Sequence, residues 1–256
     1  MDVVKKYNVA MLSGGKDSTA MVLRAAESGD FFFDEYVFCD TGKEFPAMYD
    51  HLEKLEKYMG ISITRLKSDK SFEYYFSDYT RTKGNNINLK GMSWPDFRTR
   101  WCTTHLKERV ATRYLRQFDN VVEFVGVAID EWSKKKNAHR ASNNSSFRRM
   151  YPLCYWAMTE SECLSYCYER GFDWGGLYED FGRVSCFCCP LSNLKELKVL
   201  WSKYPDLWKA TREIEAGGTF RTFKPGYSLE QLERRFEIEE LTLPSHSDRR
   251  QVNLFS

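Results

Sequence analysis

The sequence predicts an α/β architecture: a doubly wound, mostly parallel sheet of about five strands with helices on both faces. A helical C-terminal extension carrying a cysteine cluster follows it. Three observations predict this. Short apolar runs of strand length alternate with stretches of helical period. The first run ends in a glycine turn that opens straight into a helix. The second ends in Asp40-Thr41, at the carboxyl edge where parallel sheets place their ligand sites.

The first strand is Tyr7 to Leu12. Ser13-Gly14-Gly15-Lys16-Asp17-Ser18-Thr19 follows it, and Ala20 to Ala26 continues as a helix with its apolar side inward. Strand, glycine turn and helix start together make an anion site. Two glycines let the backbone approach a ligand, and the helix N-terminus offers N–H groups and a partial positive charge. Ser13, Ser18 and Thr19 add hydroxyls and Lys16 adds a charge. The pattern lacks the longer glycine loop ending in Gly-Lys-Ser/Thr that defines a Walker site.

Tyr36 to Cys39 is the second strand, and Asp40-Thr41-Gly42-Lys43-Glu44-Phe45-Pro46 closes it. Ala47 to Met59 reads as a helix and Ile61 to Leu66 as a strand. Phe72 to Asn88, polar and aromatic, reads as a loop or insertion. In Arg98 to Lys107, Thr103 or Thr104 is placed to cap a helix running to about Phe118. Val121 to Val127 is a further strand, and Lys134 to Arg149 reads as a basic loop. Glu160 to about Arg170 is helical, with Cys163 and Cys167 spaced as packed small residues. Leu191 to Ala216 is a helical stretch broken near Pro205, and Leu229 to Ile238 is a short charged helix. No internal repeat is present.

Gly182 to Leu191 is the second dense stretch. Cys186 and Cys189 form a C-x-x-C followed by Pro190. An iron–sulfur cluster, a zinc ion or a redox dithiol all use such a turn.

Composition narrows the class. At 256 residues with 42% hydrophobic content, the chain suits one α/β domain with an appended part. The net charge of +2 does not itself argue for nucleic acid. Arg81, Lys83, Lys90, Arg98, Arg100 and Lys107 nevertheless cluster, and Lys134 to Lys136, Arg140, Arg148 and Arg149 follow. They read either as a polyanion-steering surface or as solvated loop charge. No apolar stretch approaches the roughly 20 residues that cross a bilayer, and the first residues lack a signal pattern. A cytoplasmic protein with no membrane partner is expected. In a reducing compartment, eight cysteines point to metal or redox chemistry before disulfides.

Four segments carry a family resemblance. SGGKDST resembles the SGGxDS loop of the PP-loop ATP pyrophosphatases, and DTGKEFP matches the DTGxxFP segment of their phosphoadenosine-phosphosulfate (PAPS) reductase branch. RWCTTHLK is similar to that branch's R-[WY]-C-x-x-x-L-K, and Tyr151 to Thr159 to its PLxxWT segment. The resemblance spans most of residues 7 to 200 and implies a PP-loop, adenine nucleotide alpha hydrolase-like fold. The domain is then expected over residues 1–190, with the extension over 191–256. Ser13, Gly14, Gly15, Lys16, Asp17 and Ser18 would cradle the phosphates of ATP, Asp17 would help hold Mg²⁺, and Asp40 and Thr41 would lie beside the nucleoside. Lys16 and Asp17, with Arg100 or Lys107, would serve the developing phosphate charge. Cys102, Cys186 and Cys189 map onto the cysteines that hold a [4Fe-4S] cluster in iron–sulfur members, with Cys188 as a fourth candidate and zinc as an alternative metal.

The implied activity is adenylation of an acceptor, with sulfur transfer to a nucleic acid, tRNA or DNA, and a cysteine desulfurase as sulfur donor. An oligomer or a component of a larger complex is expected. Two departures bear on the alternatives. Ala128 stands where many members carry an arginine, and no cysteine follows Cys189 to act as a sulfonucleotide reductase's nucleophile. A reductase that releases sulfite, or a nucleotide-binding subunit of a larger complex, are the other readings.

Overall fold

A computed structural model describes residues 6–82, 87–134, 147–218 and 220–242. The described residues form two compact units, one within Met1–Phe72 and Arg100–Cys186 and the other within Glu73–Thr99 and Phe187–Ser256. The second unit joins residues 73–99 to the chain from Phe187 onward. The reason lies in side-chain packing: Trp94 sits edge-on against Phe223 at 4.9 Å, and Asp96 pairs with Arg221 at 2.5 Å.

The first unit is built on a five-stranded sheet. Its strands are β1 (Tyr7–Leu12), β2 (Glu35–Asp40), β3 (Ile63–Lys67), β4 (Val121–Val125) and β5 (Arg148–Met150). They lie in the order β3-β2-β1-β4-β5, and every pairing is parallel. The fold class is thus the expected one, a parallel sheet flanked by helices. The inner strands are predominantly apolar because such a sheet is covered on its faces, with Asn8, Glu35, Asp40 and Glu123 as the exceptions. Val9, Val37 and Val121 pack with Leu115 in one fully apolar cluster. The alternate residues Leu12 and Phe38, neighbours in register, are also buried.

The helices of this unit are α1 (Lys16–Ser28), α2 (Pro46–Met59), α3, α4 (Ile129–Lys134), α5 (Pro152–Tyr155), α6 (Glu160–Glu169) and α7 (Leu177–Asp180). Gly29 and Gly60, both left-handed, end α1 and α2. A full capping box of Thr159 and Glu162 starts α6. α3 is composite: an α turn at Trp101–Thr103, a π segment at Thr104–Glu108, and α again over Arg109–Leu115. It starts earlier than the expected threonine cap, with Arg100 at the cap position and no side-chain cap bond. The burial of Trp101 against Phe72 fixes that start instead. β5 lies inside a stretch expected to be loop. It is three residues long and is tied to β4 by the Arg149–Glu123 ion pair at 2.7 Å.

The second unit contains a π turn at Tyr74–Asp78 and helices α8 (Leu194–Lys203), α9 (Pro205–Ala216) and α10 (Leu229–Thr242). The expected break at Pro205 is present. Leu197, Leu200, Trp208, Ile214, Leu232 and Phe236 form its apolar interior. No helix among the described residues is long and apolar enough to cross a membrane.

Candidate nucleotide site

The sheet order reverses between β1 and β4: the chain runs outward through β2 and β3, then returns to the other side of β1. Ligands of open parallel sheets bind at such a switch point, outside the carboxyl ends of the strands. The Ser13-Gly14-Gly15 turn lies there, between β1 and α1. Two glycines are required by space. Gly14 has φ +77°, and a Cβ on it would lie 2.8 Å from the Met48 methyl. A Cβ on Gly126, just after β4, would lie 2.7 Å from the Ser18 Cα and amide nitrogen. The end of β4 therefore presses directly on the first turn of α1.

Local hydrogen bonds preform the turn. The Ser13 amide donates to Ser18 Oγ at 3.1 Å, and Ser18 Oγ donates to the Gly15 carbonyl at 3.0 Å. Trp174 Nε1 donates to the Gly14 carbonyl at 2.7 Å. Behind Trp174, His51 stacks at 4.4 Å, and its Nε2 lies 2.9 Å from Thr19 Oγ1. Burial, with Lys54 adding to it, pushes the His51 imidazole down to about 3, so it is a neutral strut. The Lys16 amide, in the first turn of α1, donates to Tyr178 Oη at 2.8 Å.

Lys16 and Asp17 stand together as expected, and a third group joins them. Lys16, only 6% exposed, places Nζ 3.2 Å from Asp17 Oδ1 and 3.0 Å from Glu160 Oε2. Burial opposes its charge, but the two carboxylates more than offset that and raise its pKa. Burial pushes the Asp17 carboxyl upward, against the pull of Lys16. Asp17 Oδ1 is buried and takes no hydrogen bond. Held by the Lys16 ion pair but by no hydrogen bond, that oxygen suits Mg²⁺, which binds through one or two carboxylates and completes its shell with water and phosphate oxygens.

Asp40 and Thr41 lie at the end of β2 on the same sheet edge, and both are buried. Asp40 accepts from the Gly42 amide at 2.7 Å and Tyr49 Oη at 2.8 Å, and pairs with Lys67 at 2.9 Å. Thr41 Oγ1 donates to Glu44 Oε1 at 3.0 Å and lies 3.5 Å from Cys186 Sγ. Lys107 reaches the same Glu44 oxygen at 3.4 Å. Burial works against the Lys107 charge, but Glu44 more than offsets it and holds the ammonium above its ordinary value. Arg100 is exposed at the start of α3.

The cysteines divide by environment. Cys163 and Cys167 are fully buried, and Cys167 Sγ contacts the Lys16 carbonyl at 3.5 Å. Burial is the main cause raising both thiols, Cys167 to about 12. Cys102 and Cys186 belong to the first unit, Cys188 and Cys189 to the second. Cys102, Cys186 and Cys189 are half-buried, whereas Cys188 is buried. Among the described residues, no group of three or more His, Cys, Asp or Glu is placed to hold a metal ion. The side-chain geometry therefore adds nothing to the cluster expectation. Of the basic residues, Lys83, Lys135, Lys136 and Arg140 lie outside the described residues. Arg149 and Lys107 are paired with acids, and Lys90, Arg98 and Arg100 are exposed.

Sequence reasoning missed Glu44, His51, Glu160, Trp174 and Tyr178. Glu44 alone carried a signal: an acid within the Asp40–Pro46 turn, three residues from Thr41.

A parallel sheet with a glycine turn at its switch point and a buried Lys–Asp pair at the helix start defines a nucleotide-binding α/β domain of the PP-loop kind. The chain belongs to the phosphoadenosine phosphosulfate reductase domain family, whose model matches residues 7–192.

Two uncharacterized Methanocaldococcus jannaschii proteins are each 25% identical to it. The matches cover 82% and 81% of this chain but 42% and 50% of those proteins. The chain thus spans half or less of their length. An uncharacterized protein of Escherichia phage 186 is 22% identical, over 94% of this chain and 87% of its own. The crystal structure of phosphoadenylyl-sulfate (PAPS) reductase from Candida auris, in a phosphate complex, aligns at 14% identity and TM-score 0.49. That alignment covers 72% of this chain and 83% of the other.

Proposed function

We propose that the chain binds ATP on Ser13 to Ser18 and adenylates an acceptor, for sulfur transfer to a nucleic acid. The observation that carries this reading is the preformed glycine turn at the sheet's switch point, with Lys16 and Asp17 buried beside it. An acceptor oxygen attacks the α-phosphorus, the bond to the bridging oxygen breaks, and pyrophosphate leaves. A sulfur nucleophile, supplied by a donor such as a cysteine desulfurase, then displaces the adenylated oxygen, and AMP departs. Backbone N–H groups at the start of α1 and the Lys16 ammonium meet the phosphate charge. Asp17, with Glu160 nearby, would hold Mg²⁺, which when bound would supply positive charge to balance the phosphates. Arg100 and Lys107 are candidates for the charge on the transferred phosphorus, and Asp40 and Thr41 form the wall on the nucleoside side. Assembly with a donor or as an oligomer, and residence in the cytoplasm, belong to the same reading.

A [4Fe-4S] cluster, or zinc, on Cys102, Cys186 and Cys189, with Cys188 as a further candidate, is proposed on the family resemblance and the C-x-x-C spacing of Cys186 and Cys189, and no step above runs through it. Iron, zinc and acid-labile sulfide per chain, measured on anaerobically purified protein, test it.

The function itself is tested by ATP binding and by acceptor-dependent pyrophosphate release. Both are expected for the natural chain and lost in Asp17→Ala. An Asp17→Ala variant that binds ATP unchanged overturns the site. The family match also supports a second reading, a sulfonucleotide reductase. Sulfite release from PAPS with thioredoxin, in the absence of ATP, would favour that reading over adenylation.

A further inference from the structure

The second unit carries a cleft of about 550 Å³ that the nucleotide site does not use. Its floor is Trp94, buried and edge-on to both Phe223 and Phe76, at 4.9 and 4.8 Å. Two phenylalanines stand at its rim, Phe97 at 73% exposure and Phe220 at 47%. Phe97 and Phe220 line one cleft, so their exposed rings belong to a single apolar surface and are not scattered singly.

Each rim ring is accompanied by guanidinium groups. Arg98 lies 5.1 Å from the Phe97 centroid, and Arg81 and Arg221 lie 4.4 and 5.7 Å from that of Phe220. This arrangement is built. Arg81 donates to the carbonyls of Gly91 and Met92 at 2.8 and 3.0 Å. Asp96 Oδ1 accepts from the amides of Arg98 and Thr99 at 2.8 and 2.6 Å, which turns Phe97 and Arg98 outward. Its other oxygen takes Arg221 at 2.5 Å. Lys224 also lines the cleft, donating to the Ser192 carbonyl. Four cations thus stand around the cleft, with Asp96 paired to Arg221, Glu196 near Lys224 and Glu215 against Trp94 and Phe223.

We propose that this cleft binds the unpaired bases of a single-stranded nucleic acid. Phe97 and Phe220, together with the guanidinium groups lying over their rings, offer stacking surfaces for bases, and the cations draw the phosphates. A cleft of this size lies within the roughly 300–1,000 Å³ of sites that enclose small ligands, so it can take a base with its sugar. A duplex keeps its base faces stacked and presents only phosphates. An acidic peptide would answer the charge but leave the rings unused. The inference rests on the acceptor being a nucleic acid, as proposed above. It is read without ATP, so its failure is distinguishable from failure of the nucleotide site.

The test uses the whole chain and fluorescence anisotropy with labelled 12-nucleotide oligo-dT and oligo-U, and with a duplex of the same length. Single strands are expected to bind about tenfold or more tighter than duplex. Phe97→Ala with Phe220→Ala should lose about tenfold or more, while ATP binding is retained. Phe220→Trp, which keeps a stacking face, should retain affinity and covers the case in which the double variant does not fold. Arg98→Ala should lower the salt dependence by about one counterion. A preference for either sugar supports the proposal and names the source, RNA or DNA. Equal affinity for duplex, no binding of either strand, loss of affinity in Phe220→Trp, or displacement by polyglutamate as effective as by unlabelled oligo-U overturns it.

Discussion

The Trp174 indole N–H donates to the Gly14 carbonyl oxygen at 2.7 Å, across 160 residues of sequence. The bond holds the nucleotide turn from behind, from a segment outside every recognised motif. Trp174→Phe keeps an aromatic side chain but a smaller one and removes the donor, leaving a buried carbonyl unsatisfied and a space beside His51. A loss of about 1–3 kcal/mol is expected in urea unfolding, with weaker ATP binding by calorimetry. Unchanged affinity would mean that the turn holds its shape without the bond.

His51 gives the stability a pH dependence of known sign. Its folded pKa, about 3, lies below its ordinary 6.5, so between those values the unfolded chain binds the extra proton. The contribution is complete above pH 6.5 and is lost as pH falls toward 3. In urea unfolding between pH 6.5 and 4.5, the natural protein should lose up to about 1.4 kcal/mol per pH unit more than His51→Gln. Equal slopes would place the imidazole in water.

Gly126→Ala puts a methyl group 2.7 Å from the Ser18 backbone. Overpacking of this kind costs about 1–3 kcal/mol, and here it displaces the first turn of α1. ATP affinity should fall together with the melting temperature. A fall in melting temperature alone would separate the packing of β4 from the site.

Tyr178 competes with the ligand. Its hydroxyl accepts from the Lys16 amide, one of the N–H groups that an anion would take. Tyr178→Phe removes the competitor and leaves that donor waiting. Pyrophosphate should bind about fivefold tighter, the equivalent of one ordinary hydrogen bond. Weaker binding would show instead that the hydroxyl contacts the ligand.

Glu44→Gln tests the second cluster. The carboxylate is buried and serves both Thr41 and Lys107. The variant should lose about 1–3 kcal/mol in thermal or urea unfolding, with the Lys107 pKa lowered. An unaltered unfolding curve would show that the pair contributes nothing to the turn after β2.

The sheet was legible because β1, β2 and β4 are mostly apolar runs of strand length, as strands covered on their faces tend to be. The glycine turn was legible because its chemistry is local to seven residues. What stayed hidden is tertiary. β5 is Arg148-Arg149-Met150, and the partner that makes Arg149 acceptable there, Glu123, is 26 residues away. Trp174, Tyr178 and Glu160 reach the turn from 144 to 162 residues away, with no spacing that periodicity can detect. The π segment of α3 follows from how Trp101 and Leu106 are buried, not from a residue preference. Phe72 to Asn88 reads as a loop or insertion, and its place in a unit with residues 89–99 stayed hidden because Phe223, the partner of Trp94, comes more than a hundred positions later.

Cys163 and Cys167 have a consequence beyond packing. Two thiols sealed beneath α1, their pKa values raised, are almost wholly in the unreactive protonated form and out of reach of reagents. They become alkylatable only when α1 and α6 separate. The chain therefore carries its own label-free gauge of the nucleotide helix. Iodoacetamide uptake at these two positions, followed by mass spectrometry, reports how often that helix lifts, and ATP that clamps its first turn should slow the clock.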